Sequence, residues 1–208
     1  MIRLGVLVSG GGTNFQAILD AITRGELDAK VAVVVSNRAG AGALDRARRA
    51  GVPTTVLSHR DFATREAFDE AIVRALRDHG VEWVVLAGFM RLVTPVLLDA
   101  FPDRVINIHP ALLPAFPGVH AQAQALAYGV RVTGCTVHFV DAGTDTGPII
   151  AQEAVAVRDD DTVETLTERL LVAEHRLLPA VLQWIAEGRL TLSPRDGADR
   201  RCARVRMP

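Results

Sequence analysis

Ile2-Arg3-Leu4-Gly5-Val6-Leu7-Val8-Ser9-Gly10-Gly11-Gly12-Thr13-Asn14-Phe15-Gln16-Ala17-Ile18-Leu19-Asp20-Ala21-Ile22 is the stretch whose reading decides the fold. Residues 2–9 form an apolar run that ends in three consecutive glycines, after which Phe15, Ile18, Leu19 and Ile22 recur at helical spacing. The pattern is strand, glycine turn, helix, and it returns along the chain. Residues 31–35 are a continuous apolar run rich in β-branched residues, short enough for a buried strand. Residues 41–50 read as a helix stopped at Gly51, and 52–57 as a short strand opened by Pro53. Over 62–79, Phe68, Ile72, Val73 and Leu76 share one helical face, with Gly80 as the stop. Strands follow at 83–87 and 104–109, separated by a short helix at 95–100. The second of these strands is halted by Pro110.

Pro110, Pro114 and Pro117 mark 110–118 as an ordered loop. A helix at 120–128, strands at 133–140 and 149–157 and a loop at 141–147 come next. A long helix at 162–186 opens on Asp161-Thr162-Val163-Glu164 and should bend at Pro179. Residues 189–192 suit an edge strand. The alternation predicts an α/β fold, a mostly parallel twisted sheet with helices on both faces, whose ligand sites lie beyond the carboxyl ends of the strands. A single domain is expected over 1–192, followed by a basic, loosely ordered tail at 193–208 that holds five arginines.

Composition narrows the chemistry. The 208 residues are 49% hydrophobic and 23% charged, as in ordinary globular proteins. With 23 basic against 24 acidic residues, the net charge of -1 supplies no bulk attraction to nucleic acid or an anionic membrane. Lys30 is the sole lysine, and its neighbours Ala29 and Val31 exclude a P-loop. Cys135 and Cys202 can build neither a disulfide framework nor a four-thiolate zinc site, and none of the four serines sits in a Gly-x-Ser-x-Gly elbow. No signal sequence or apolar span of about 18 residues is present, so a cytoplasmic protein is expected.

Gly10 and Gly12 begin a dinucleotide fingerprint that Phe15 breaks, and residues 36–37 place Ser-Asn where a ribose-binding acid would stand. Two readings of the turn remain, a phosphate cradle at a helix N-terminus and a tight turn serving packing. At the end of the fifth strand, Asn107 and His109 fall on one face with Ile108 on the other. An amide and an imidazole so placed suit an oxyanion and a proton, or a purely structural role. Asp145 is a candidate carboxylate partner for His109, or a turn residue.

Four stretches carry a resemblance, in order along the chain: Ser9-Gly10-Gly11-Gly12-Thr13-Asn14, Leu86-Ala87-Gly88-Phe89-Met90-Arg91, Asn107-Ile108-His109-Pro110-Ala111-Leu112-Leu113-Pro114, and Val137-His138-Phe139-Val140 with Asp145-x-Gly147-Pro148. They are similar to the folate-dependent formyltransferases, and the N-terminal loop resembles that of the phosphoribosylglycinamide formyltransferase family. The resemblance implies a Rossmann-like formyltransferase fold and transfer of a formyl group from 10-formyltetrahydrofolate to the amine of 5'-phosphoribosylglycinamide. It implies Asn107, His109 and Asp145 as the catalytic trio and Gly11, Gly12, Thr13 and Asn14 as the holder of the substrate phosphate. Pro110 and Glu174 are then further substrate contacts. Arg65, Phe89, Met90, Arg91, Leu92, Val93, Val140, Asp141, Ala142, Gly143 and Thr144 correspond to the folate site. Gly11 replaces a frequent Asn, Ala111 a frequent Ser, and Gln122 a histidine sometimes found there. The expected partners are the two substrates, with no metal, nucleic acid or membrane, and the protein as monomer or homodimer.

Overall fold

The computed structural model describes residues 1–194 and 201–206. The chain divides into two compact units, 1–107 and 108–208.

In the first unit β1 (Ile2–Val8), α1 (Thr13–Thr23), β2 (Ala29–Ser36), α2 (Gly42–Arg49), β3 (Thr54–Val56), α3 (Arg65–Asp78), β4 (Trp83–Leu86) and α4 (Pro95–Ala100) lead to β5 (Val105–His109), whose last two residues open the second unit. The strands run parallel in the order β3, β2, β1, β4, β5, with Val6 of β1 opposite both Val34 and Val85. Leu4, Val6, Leu7 and Val8 are all fully buried, as a strand covered on both faces requires. The winding runs from β1 towards β3, then reverses to β4 and β5. Right-handed crossovers therefore put α1 and α2 on one face and α3 on the other. The reversal leaves a switch point between the carboxyl ends of β1 and β4, where ligand-binding crevices form in open sheets of this kind. The Ser9–Asn14 stretch leaves one of those ends and the 87–94 stretch the other.

The helix expected over 62–79 starts three residues later, at Arg65. The Thr64 hydroxyl accepts from the Ala67 N–H at 3.1 Å, a cap that ends the preceding irregular turn, while Ser58 caps a single 3-10 turn at His59–Asp61.

The second unit holds α5 (Ala121–Tyr128), the antiparallel pair β6 (Val132–Phe139) and β7 (Ile149–Ala156), α6 (Val163–Ala186), and the hairpin of β8 (Leu190–Pro194) with β9 (Arg201–Val205). Thr162 and Thr165 cap α6 reciprocally, and Arg169 returns to pair with Asp161 just outside that end. The helix runs through Pro179 as one element, its Leu166, Leu170, Leu178 and Leu182 stripe fully buried. The loose tail expected beyond residue 192 is corrected in part. Leu192 pairs with Ala203 and Ser193 with Cys202, so part of that stretch is held as a strand by its partner. The rest of that tail, 195–200 and 207–208, lies outside the described residues. Among the described residues no helix is long and apolar enough to cross a membrane.

Candidate active site

In the first unit, the glycine turn is braced from α2: the Ala43 N–H donates to the Gly10 carbonyl at 3.1 Å and the Arg46 guanidinium to the Gly11 carbonyl at 2.8 Å. Gly12 adopts φ 73°, and a Cβ there would stand 2.5 Å from that of Ala43. Packing alone therefore demands glycine at 12, whatever the turn binds. A Cβ at Gly11 would meet nothing within 4 Å. Thr13 opens α1, and Asn14 is buried in its first turn. The strand β2 is followed by a buried Asn37 whose Oδ1 accepts from the Ser9 hydroxyl at 2.7 Å. The position that a dinucleotide fold gives to a ribose-binding acid is here turned inward.

The remaining candidates of this unit follow β4 or lie on α3. Met90 and Leu92 are exposed, Phe89, Arg91 and Val93 half-buried, and Arg65 is the exposed first residue of α3. Burial lowers the basicity of the His59 ring, and the charges of Arg91, Arg60 and Arg38 lower it further, so this end of the unit carries a cationic field. Asn107 closes the unit on β5, half-buried and level with Leu86 of β4.

In the second unit, three elements converge on one carboxylate. Asp145, in the loop after β6 with φ 54°, accepts the Gly118 N–H at 2.7 Å through Oδ2. The same oxygen faces His109 Nδ1 at 3.3 Å, and Oδ1 faces His138 Nε2 at 3.6 Å. Both rings are buried, at 4% and 2% exposure, so these contacts act with little screening from water. The far nitrogens meet carbonyls, His109 Nε2 that of Phe116 and His138 Nδ1 that of Phe139, each at 2.8 Å. A carbonyl only accepts, so each of these nitrogens carries its proton. Burial pushes the Asp145 carboxyl up, but His138, the Gly118 N–H and His109 together hold it below its ordinary value.

Surrounding contacts fix these groups. The Thr136 hydroxyl donates to the Ala111 carbonyl at 2.6 Å and accepts from the Leu113 N–H and from Gln152, which ties the proline-rich loop after Pro110 to β6. The Leu113–Pro114 peptide in that loop is cis. The Asp145 loop is wound around Asp141, whose Oδ1 accepts from the Thr146 hydroxyl and the Gly143 N–H, with Ala142 and Thr144 exposed and Val140 half-buried. A Cβ at Gly147 would lie 1.8 Å from the Phe139 carbonyl oxygen. This glycine serves close approach. Pro110 is half-buried, and Glu174 is 5% exposed on α6. Burial first, then the charges of Glu174 and Glu153, push the Cys135 thiol up to about 12, which removes it as a nucleophile.

The sequence reading assigned no role to His138, Gly118 or Gln152. His138 stood in a quoted motif, but nothing local marks a strand histidine as facing a loop carboxylate. His138→Gln, which removes one of the two rings, should raise the Asp145 carboxyl toward its ordinary value. Carbon NMR titration of that carboxyl checks this, and an unchanged midpoint would show that His138 does not act on it.

Among the described residues no cluster of His, Cys, Asp and Glu is placed to hold a metal ion. Comparisons with known proteins point one way. A phosphoribosylglycinamide formyltransferase of Mycobacterium tuberculosis is 49% identical over 190 residues, covering 91% of this chain and 87% of that protein. A trifunctional purine biosynthetic protein adenosine-3 of Chironomus tentans is 48% identical over 193 residues, 92% of this chain, which spans only 14% of that protein's length. The crystal structure of glycinamide ribonucleotide transformylase 1 from Symbiobacterium toebii superposes with a TM-score of 0.94 at 53% identity, over 99% of this chain and 94% of that one. The model of the formyl transferase family matches residues 2–182, nearly the whole chain, and the chain belongs to that family.

Proposed function

We propose that this chain transfers the formyl group of 10-formyltetrahydrofolate to the amine of 5'-phosphoribosylglycinamide, a step of purine synthesis. The observation that carries the reading is the half-buried Asp145 carboxylate shared by the buried rings of His109 and His138, in a chain of this family. The donor supplies the formyl carbon. The acceptor amine forms the new N–C bond, the bond to the folate nitrogen breaks, and one proton passes from the amine to that nitrogen, so the products are the formamide and tetrahydrofolate.

The chain's own groups act on the charge this step creates. Asn107 donates its amide to the formyl oxygen as that oxygen becomes an oxyanion. His109 donates through Nε2, and here the resting contact to the Phe116 carbonyl matters. An N–H already satisfied by a neutral acceptor gains little from a neutral formyl oxygen and much from an oxyanion, so its help is confined to the transition state. Asp145 stays ionised, keeps His109 charged and oriented, and holds a water that relays the proton. Phe89 to Val93 and Val140 to Thr144 receive the folate. The exposed apolar tips of Met90 and Leu92, with Arg91 and Arg65 for an acidic tail, fit such a ligand. Pro110 and Glu174 contact the acceptor, whose phosphate lies on the 11–14 turn. Residues 1–192 work as one formyltransferase domain in the cytoplasm, and monomer and homodimer both suit this reaction.

Purified protein, both substrates and a no-acceptor control test the reading. Acceptor-dependent formation of tetrahydrofolate is expected. Ligand binding without turnover would favour a sensor of phosphoribosyl compounds instead, and release of formate without acceptor would favour a deformylase.

The phosphate turn is tested by charge at Gly11, where side-chain space is open. At about 4 Å in a half-exposed site two like charges repel by about 4 kcal/mol before screening by salt. Gly11→Asp should therefore weaken acceptor binding by about tenfold or more, with Gly11→Asn near the parent and both melting temperatures unchanged. Calorimetry with the ribonucleotide decides it. Equal affinity in the Asp and Asn variants would place the phosphate elsewhere.

A further inference from the structure

The segment that follows β4, residues 88–94, lies along the surface, with Met90 64% and Leu92 56% exposed between half-buried Phe89, Arg91 and Val93. Little apolar burial holds its middle in place, yet both ends are tied by buried polar side chains. At the front, the Ser9 N–H donates to the Gly88 carbonyl at 3.1 Å, and the Ser9 hydroxyl accepts from the Met90 N–H at 2.9 Å while donating to Asn37 Oδ1. Ser9 and Asn37 are 3% and 5% exposed. At the back, a single oxygen of Asp69 on α3 accepts from the Thr94 N–H at 2.6 Å and from the Thr94 hydroxyl at 2.8 Å. Asp69 and Thr94 are each 1% exposed.

A buried carboxylate without a matched role is costly, and burial does push the Asp69 carboxyl up against the pull of Thr94 and of Arg65, one helical turn away. The arrangement fixes Thr94, which ends the segment and is the N-cap residue of α4. Its effect is on the segment, whose ordering would otherwise be charged against the affinity of whatever binds there.

We propose that Ser9 and Asp69 are positioning residues for the formyl donor, two clasps that hold residues 88–94 in the shape that presents Met90 to Val93. The proposal rests on the donor reading of that segment. It assigns the two clasps different reach. Asp69 bonds the end of the donor segment through Thr94, the N-cap residue of α4. Ser9 also precedes Gly10 directly, so one hydroxyl ties the donor segment to the root of the acceptor turn across the switch point of β1 and β4.

The test is calorimetry with tetrahydrofolate and, separately, glycinamide ribonucleotide on the full chain and on Asp69→Ala, Thr94→Val and Ser9→Ala. Asp69→Ala should raise the Kd for tetrahydrofolate about tenfold or more, and Thr94→Val, which keeps the backbone bond to Asp69, about threefold. Both should leave the ribonucleotide Kd within about twofold and raise KM for the donor with kcat retained at saturation. Ser9→Ala should weaken both ligands. If Asp69→Ala does not fold, Thr94→Val decides. Unchanged tetrahydrofolate affinity in the folded variants overturns the proposal, and so does equal loss of both ligands in Asp69→Ala or Thr94→Val, which marks a general structural role. A parent protein that binds no tetrahydrofolate would instead overturn the donor reading, and the clasps' assignment with it.

Discussion

Asp145→Asn is expected to lower kcat by about two to four decades while leaving affinity for the ribonucleotide close to the parent's. The reason is the number of donors that Asp145 faces. Its two oxygens meet the Gly118 N–H, His109 Nδ1 and His138 Nε2. An amide has one acceptor oxygen and turns an NH2 group toward at least one of these donors, so one ring must change tautomer or lose its partner. The pH profile separates this from simple damage. The parent's carboxyl lies below its ordinary value, so its charge persists as pH falls through the usual carboxylate range and is lost only at the depressed value. A group of that sign contributes stability above its unfolded-state pKa and loses it as pH falls through the folded one, and activity resting on the anion follows the same window. In Asp145→Asn the acid limb should vanish. Because the two residues act as a unit, Asp145→Asn with His109→Ala should be scarcely worse than the poorer single variant. Additive losses would show that they work independently.

Asn107→Ala is expected to cost about two to three decades in kcat, about 3 to 4 kcal/mol of transition-state stabilisation, with both KM values within about threefold of the parent. Strand pleating sets Asn107 and His109 on one face of β5. Asn107→Asp sharpens the test. A carboxylate matches the amide in shape but accepts where the amide donates, and it would sit against a developing negative charge. It should do no better than alanine. Single-turnover rates for the three proteins check this, and a loss of tenfold or less in Asn107→Ala would remove Asn107 from the oxyanion site.

The strands and helices of the first unit were legible because each is a local matter of hydrophobic period and turn chemistry. Residues 2–22 read as strand, glycine turn and helix without any knowledge of their partners, and the run into Pro110 located the end of β5. Conformational detail at that level depends on neighbours within about four residues. Capping chemistry moved the start of α3 to Arg65, a matter of one hydroxyl. The hairpin beyond residue 190 was hidden by charge: a strand rich in arginine has no apolar period, and only its partner strand identifies it.

Site assignment divides along the same line. The motifs named Asn107, His109 and Asp145, and strand alternation alone related the first two. That His138 shares the carboxylate with His109 follows from where the loop after β6 turns back, with Gly147 pressed against the Phe139 carbonyl. That Gly12 is bound to be glycine by Ala43, and Gly11 is not, depends on how α2 meets the turn. Ser9 and Asp69 carry no motif at all. Their partners lie 81 and 25 positions away, and hydrogen bonds over such distances are decided by the packing of the sheet and its helices. By itself the sequence determined the order of elements and the residue types available for chemistry. Tertiary structure decided which of them share a carboxylate, a carbonyl or a hydroxyl, because burial brings together polar groups that the chain holds far apart and leaves them only one another as partners.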